Sequence, residues 1–283
     1  MGNRARTDSL TPDGRLRWIQ EWRTDDALDF RLGRDRRELI AEWAGLGQLR
    51  STRSGEVYRF TPHPAASDWA VEKLLGGPVQ ALLRHLQGRM SLHASAVERD
   101  GAAMLFLGSS LCGKSTFAAE LCRREGFAMI ADDVAFLEQH VGEFSAIPSE
   151  ATHWLRQDAA AFLGATAVNG EKTPLAPARV ARAPVAVKAV VYLAFDEALG
   201  RATLRRLPGR LAFCRLRTSL FRFIVDEPKT DLRDFGNLAA LHAKVPLSEL
   251  TRRRALSNLG ECVDLLLGAW PHFLESSEMA GDR

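Results

Sequence analysis

The sequence predicts an α/β fold with a small α+β unit ahead of it, and three observations predict this. The run Ala102–Leu107 is almost purely apolar, the pattern of a strand buried on both faces. It leads directly into the glycine-containing stretch Gly108–Thr116 and then into a helical composition beginning at Phe117. Before residue 91 the pattern is different: short alternating runs are followed by helically spaced leucines, so residues 15–90 read as a unit of their own.

A chain of 283 residues with 46% hydrophobic and 26% charged residues has room for two modest domains or one large one, and it excludes disordered and collagen-like classes. The net charge of +3 is too small to argue for a nucleic-acid partner. Gly101–Gly113, the longest uncharged run, is shorter than the ~18 residues of a membrane span. Arg4, Arg6, Asp8, Arg15 and Arg17 interrupt any secretory h-region, so a cytoplasmic protein without membrane association is expected. Cys112, Cys122, Cys214 and Cys262 form no Cys-x-x-Cys pair, which suits reduced thiols and indicates no zinc site.

Taken in order, residues 1–14 read as a disordered polar lead-in. Strand-like runs follow around Leu16–Leu32 and at Glu56–Phe60, with a helix expected over Arg36–Gly45 between them. Trp69–Leu75 and Val79–Leu86 have helical spacing and are expected to be broken at Gly76-Gly77-Pro78. From residue 91 to 283 the chain reads as one domain. Leu92–Val97 is a strand, Arg99-Asp100-Gly101 a hairpin turn and Ala102–Leu107 its partner strand. After the loop and its helix, Phe127–Ala131 and Val134–Leu137 are strands flanking Asp132-Asp133, and Val185–Phe195 is a further apolar strand. Helices are expected at Arg210–Phe223, Leu232–Lys244 and Ala255–Leu267.

The stretch Gly108-Ser109-Ser110-Leu111-Cys112-Gly113-Lys114-Ser115 satisfies every fixed position of the phosphate-loop pattern G-x-x-x-x-G-K-[ST], and Thr116 continues it into the helix. A chance match in a chain of this length has a probability on the order of 1%. Successive backbone N–H groups and the positive helix end would surround phosphate oxygens. Lys114 would bridge the terminal phosphates, and Ser115 would offer a hydroxyl to Mg²⁺. Asp132 and Asp133 close the next strand, where one can ligate Mg²⁺ and the other accept a proton; the sequence does not divide the two roles between them. His93 is a candidate at the same end of the sheet, and Lys172 a candidate second phosphate contact. Cys112, next to a lysine and a helix N-terminus, is expected to be a reactive thiol that nucleotide would protect. Arg201, Arg205, Arg206, Arg210, Arg215, Arg217 and Arg222 lie in a stretch without carboxylates and form a candidate field for an acidic peptide.

Leu92-His-Ala-Ser-Ala-Val97, the turn, the phosphate loop and Ala131-Asp-Asp-Val134 together resemble the HPr kinase/phosphorylase family. The chain is similar in particular to the HPr-kinase-like proteins of peptide natural-product clusters, lasso peptide clusters among them. The resemblance implies a phosphoenolpyruvate-carboxykinase-like P-loop kinase domain using ATP and Mg²⁺. It implies catalytic roles for His93, Lys114, Asp132 and Asp133, and metal contacts at Ser115 and Asp133. It also implies a serine acceptor in a peptide or small protein, such as a precursor peptide, and allows a homo-oligomer. Two departures stand out: Leu111 follows Ser110 where the family loop has glycine, and the Glu-Ile-Arg-Gly signature of the HPr-specific enzymes is missing, which argues against HPr as acceptor. Free serine or another small alcohol is the alternative acceptor. A nucleotide-gated scaffold without transfer is the alternative class.

Overall fold

The computed structural model describes residues 16–35, 37–124, 126–166, 172–224 and 227–275. The expected lead-in over residues 1–14 lies outside the described residues, as does the part of the Gly170–Pro174 loop before Lys172. The chain divides into two units. One is Met1–Met90 with Phe221–Phe235, and the other is Ser91–Leu220 with Gly236–Arg283. The expected 91–283 domain therefore gives up the segment Phe221–Phe235.

In the first unit five strands form an antiparallel meander in sequence order: β1 (Arg17–Thr24), β2 (Ala27–Arg34), β3 (Glu38–Trp43), β4 (Gly47–Thr52) and β5 (Tyr58–Pro62). The helix expected over Arg36–Gly45 is in fact β3. Asp35 accepts hydrogen bonds from the N–H groups of Arg37 and Glu38, but this cap-like device closes the turn between β2 and β3 instead of starting a helix. Leu39, Ile40 and Ala41 are all buried, as suits an interior strand covered on both faces. Helix α1 (Asp68–Leu74) continues through a π turn, Leu75–Val79, into α2 (Gln80–Leu86), so the expected break at Gly76-Gly77-Pro78 is a π insertion. The extra residue of the π turn absorbs the carbonyl clash that Pro78 would otherwise impose. Phe223 joins this core through the rings of Trp22 and Phe30, at 5.6 and 5.8 Å between centroids. Arg34 of β2 pairs with Glu227 at 3.6 Å and His85 of α2 lies 4.0 Å from Asp234, so Phe221–Phe235 clusters with this unit; within the segment Arg222 pairs with Asp231 and Asp234.

The second unit is a nine-stranded mixed sheet with helices. Its strands begin with β6 (Met90–Leu92), β7 (Ser95–Arg99) and β8 (Ala102–Leu107). Asp100 and Gly101, both at positive φ (54° and 75°), make the tight turn that joins β7 to β8 as a hairpin. Then come α3 (Lys114–Cys122), β9 (Ala128–Ala131), β10 (Ala135–His140) and β11 (Glu143–Ile147). A separate ribbon pairs β12 (His153–Arg156), followed by α4 (Gln157–Phe162), with β13 (Lys172–Leu175). The long strand β14 (Val185–Phe195) runs parallel to β8, and β15 (Thr203–Arg206) lies antiparallel to a strand that comes later. That strand, β16 (Leu247–Arg252), is parallel to β14 and follows α5 (Gly209–Ser219) and α6 (Pro228–Lys244). The terminal helix is α7 (Leu259–Glu275). The core joins Met104, Phe106, Leu193 and Leu250 of the sheet to Phe117 and Leu121 of α3 and to Val263, Leu266 and Trp270 of α7. Burial of these side chains fixes α3, and with it the loop at its N-terminus, against the carboxyl ends of β8 and β14. Among the described residues no helix is long and apolar enough to cross a membrane.

Candidate phosphate-loop site

Gly108–Gly113 joins β8 to α3 and needs unusual backbone angles. Gly108 and Gly113 have φ of +145° and +94°, and Leu111 sits at +64°. A Cβ at Gly108 would come within 2.5 Å of Cys112 Sγ and 2.9 Å of the Leu193 carbonyl, so only glycine fits there. The first turn of α3 has no side-chain cap, which leaves its leading N–H groups available to an anion. Lys114 is buried, and its Nζ donates to the Gly108 and Ser109 carbonyls at 3.1 and 3.2 Å. It has no ion pair among the described residues. Burial lowers its pKa, and neighbouring Asp133 and Asp132 oppose that shift. A buried cation over a loop of left-handed residues fits a polyanion. Ser109, Ser110 and Leu111 are exposed at the loop tip, Ser115 is half-buried and Thr116 buried.

The two aspartates at the end of β9 differ in setting. Asp132 is buried, and each of its oxygens has a donor: the Ser95 hydroxyl at 2.6 Å and the Trp154 N–H at 3.0 Å. The wholly buried His153 lies beside it. Burial depresses the His153 pKa against the pull of Asp132, and neither ring nitrogen has a hydrogen-bond partner among the described residues. Asp133 has φ +73° and a side chain 40% exposed. It meets His93, which occupies the break between β6 and β7 with its backbone N–H on the Ser219 carbonyl. The His93 Nδ1 is 3.0 Å from the Asp133 carbonyl oxygen and 3.4 Å from its carboxylate. Both are acceptors, so the proton belongs on Nδ1 and the lone pair on Nε2. Burial first, and then Lys114, pushes the His93 pKa down, with Asp133 opposing. His93, Lys114 and Asp133 thus share one local field, and the exposed Lys172 of β13 acts on both His93 and Lys114.

Among the described residues no three His, Cys, Asp or Glu side chains form a metal cage. Mg²⁺ shared with phosphates needs only one or two protein oxygens, a demand that Ser115 and Asp133 suit. The expectation of a reactive Cys112 is corrected. Its side chain is buried against Gly108, and burial raises its thiol pKa despite Lys114 and Arg252 nearby. Two arginines of the candidate field are already paired, while Arg201, Arg205, Arg206, Arg210 and Arg217 are exposed. Arg222 is committed to Asp231 and Asp234 in the first unit, while in the second Arg215 pairs with Glu249 at 3.0 Å and lies over the Tyr192 ring. Ser95, Trp154 and Arg252 were not readable as site residues, because their roles come from strands distant in sequence. Only Ser95, two residues after His93, carried a local signal.

The second unit is a mixed α/β domain whose hairpin-entered loop, of phosphate-loop pattern, places Lys114 near an aspartate–histidine pair. No family model matches the chain, and no curated protein matches it. Among solved structures it is similar to the Hpr(Ser) kinase/phosphatase from Coxiella burnetii, at 13% identity and a TM-score of 0.33, over 64% of this chain and 97% of that one. The functional reading therefore rests on the residues themselves.

Proposed function

We propose that the chain is a Mg²⁺- and ATP-dependent phosphotransferase acting on a hydroxyl, with serine of a peptide or small protein as acceptor, on a phosphoenolpyruvate-carboxykinase-like domain. The observation that carries this reading is the buried Lys114 over the loop, without an ion pair among the described residues and in one electrostatic neighbourhood with Asp133 and His93. When bound, Mg-ATP supplies the phosphoryl group. Ser115 and Asp133 would hold the metal. Phosphoryl transfer needs mainly positioning and charge neutralisation, which the loop amides and Lys114 offer. His93, neutral at pH 7 with its Nδ1 proton directed to Asp133, keeps Nε2 to take the proton of the attacking hydroxyl. Asp132, tied by Ser95 and Trp154, orients the strand end that carries Asp133.

Titration calorimetry with Mg-ATP, followed by incubation with candidate precursor peptides and with free serine, tests the reading. The expected results are nucleotide binding that Lys114→Ala weakens at least about 100-fold, and one added phosphate mass on a peptide serine. Transfer to free serine alone would move the acceptor to the small alcohols. Binding with no transfer to any hydroxyl would favour the scaffold.

A further inference from the structure

We infer that Arg252 is a positioning residue for the phosphate loop, aiming the Gly113 N–H at the bound phosphate without touching the phosphate itself. The inference rests on the proposed role of the loop and adds the element that sets its geometry. Arg252 ends β16, 140 residues away in sequence, yet its Nη2 donates to the Cys112 carbonyl at 2.8 Å. Its side chain is buried, and the guanidinium carbon lies 4.8 Å from the Phe117 ring centroid and 4.6 Å from that of Phe195. Phe117 belongs to α3 and Phe195 to the end of β14, so helix and sheet together hold the guanidinium plane.

The consequence follows from peptide planarity. In a trans peptide the carbonyl and the following N–H point in opposite directions. With the Cys112 carbonyl turned inward onto Arg252, the Gly113 N–H is turned away from the core, to the outer side of the loop. Gly113 cannot carry a side chain here, because a Cβ would lie 2.8 Å from Arg252 Nη2 and the residue has φ +94°. Arg252 and Gly113 are therefore one device: the arginine locks the peptide and the glycine makes room for it. Without the guanidinium the Cys112 carbonyl would lose its donor, and the Cys112–Gly113 peptide would be free to rotate its N–H off the phosphate.

The test uses the full chain and two variants, Arg252→Met, which keeps the stem without the donor, and Arg252→Lys, which keeps the charge without the planar fork. Mg-ATP affinity is measured by calorimetry, folding by circular dichroism, and individual amides by ¹⁵N–¹H spectra with and without Mg-ADP. Mg-ATP affinity is expected to fall about 10–100-fold in Arg252→Met and less in Arg252→Lys, the range for a misaimed hydrogen bond to a charged group. In both variants the Gly113 amide should lose its Mg-ADP response while the Thr116 amide keeps its own, a difference that general loosening would not produce. If Arg252→Met does not fold, the Gly113 signal of Arg252→Lys decides. Wild-type-like affinity and Gly113 response in Arg252→Lys, with binding still lost in Lys114→Ala, would overturn this inference alone. A wild-type chain that binds no Mg-ATP would overturn the phosphate-loop reading and this inference with it.

Discussion

Asn substitution at Asp132 and at Asp133 should have opposite signatures, although the residues are adjacent and chemically identical. Asp132 accepts from two donors, Ser95 Oγ and Trp154 N, and is 3% exposed. Asn has one acceptor oxygen and an NH₂ group, so one donor would face another donor in a buried site. Leaving a buried polar group unsatisfied costs about 1–3 kcal/mol. At roughly 2–4 °C per kcal/mol for a chain of this size, thermal unfolding of Asp132→Asn should move down by about 2–12 °C. Asp133 is 40% exposed and holds a left-handed backbone that asparagine tolerates, so Asp133→Asn should leave stability within about 0.5 kcal/mol. Its effect should fall on Mg-ATP affinity and on chemistry, with phosphoryl transfer reduced by about 10²-fold or more as the metal contact and the hold on the His93 base are lost. Scanning calorimetry and a labelled-phosphate assay on the same preparations measure both. An Asp132→Asn protein that melts with wild type, or an Asp133→Asn protein that transfers normally, would refute the division of roles.

Three further outcomes are expected. Transfer should stay level above neutrality and fall on acidification only below pH 6.5, because the folded-state pKa of His93 is depressed and its neutral form is the one used; His93→Gln should abolish that acidic limb together with most turnover. His85, pushed down to about 4 by its burial in the first unit and then by the like charges of Arg233 and Arg222, should make that unit acid-sensitive. The unfolded state takes up the proton near pH 6.5 and the folded state only near 4, so stability is lost as pH falls through that window, by up to about 3 kcal/mol; denaturant melts at pH 7 and 4.5 should show the loss, and His85→Leu should flatten it. Cys112 should resist alkylation in the native protein with or without Mg-ATP, as peptide mapping can check, since a buried thiol of raised pKa carries little thiolate.

The sequence by itself determined the features whose cause is local. The β7–β8 hairpin is dictated by Asp100-Gly101, and the long apolar run Val185–Phe195 is a strand with those same bounds because no polar residue but Lys188 interrupts it. The phosphate-loop pattern marked the candidate site, and its glycines answer backbone angles that no other residue adopts easily. Tertiary structure decided the rest. Glu38–Trp43 carries residues that suit a helix, but pairing with β2 and β4 overrides that preference. Asp132 and Asp133 cannot be told apart in sequence; Ser95 and Trp154, brought in by β7 and β12, tie one of them down and leave the other beside His93. Cys112 has a lysine two residues away, yet packing against Gly108 outweighs that charge. The hold on the loop by Arg252 comes from β16, a strand without strong alternation, so its role exists only once β14 has brought the two ends of the domain together.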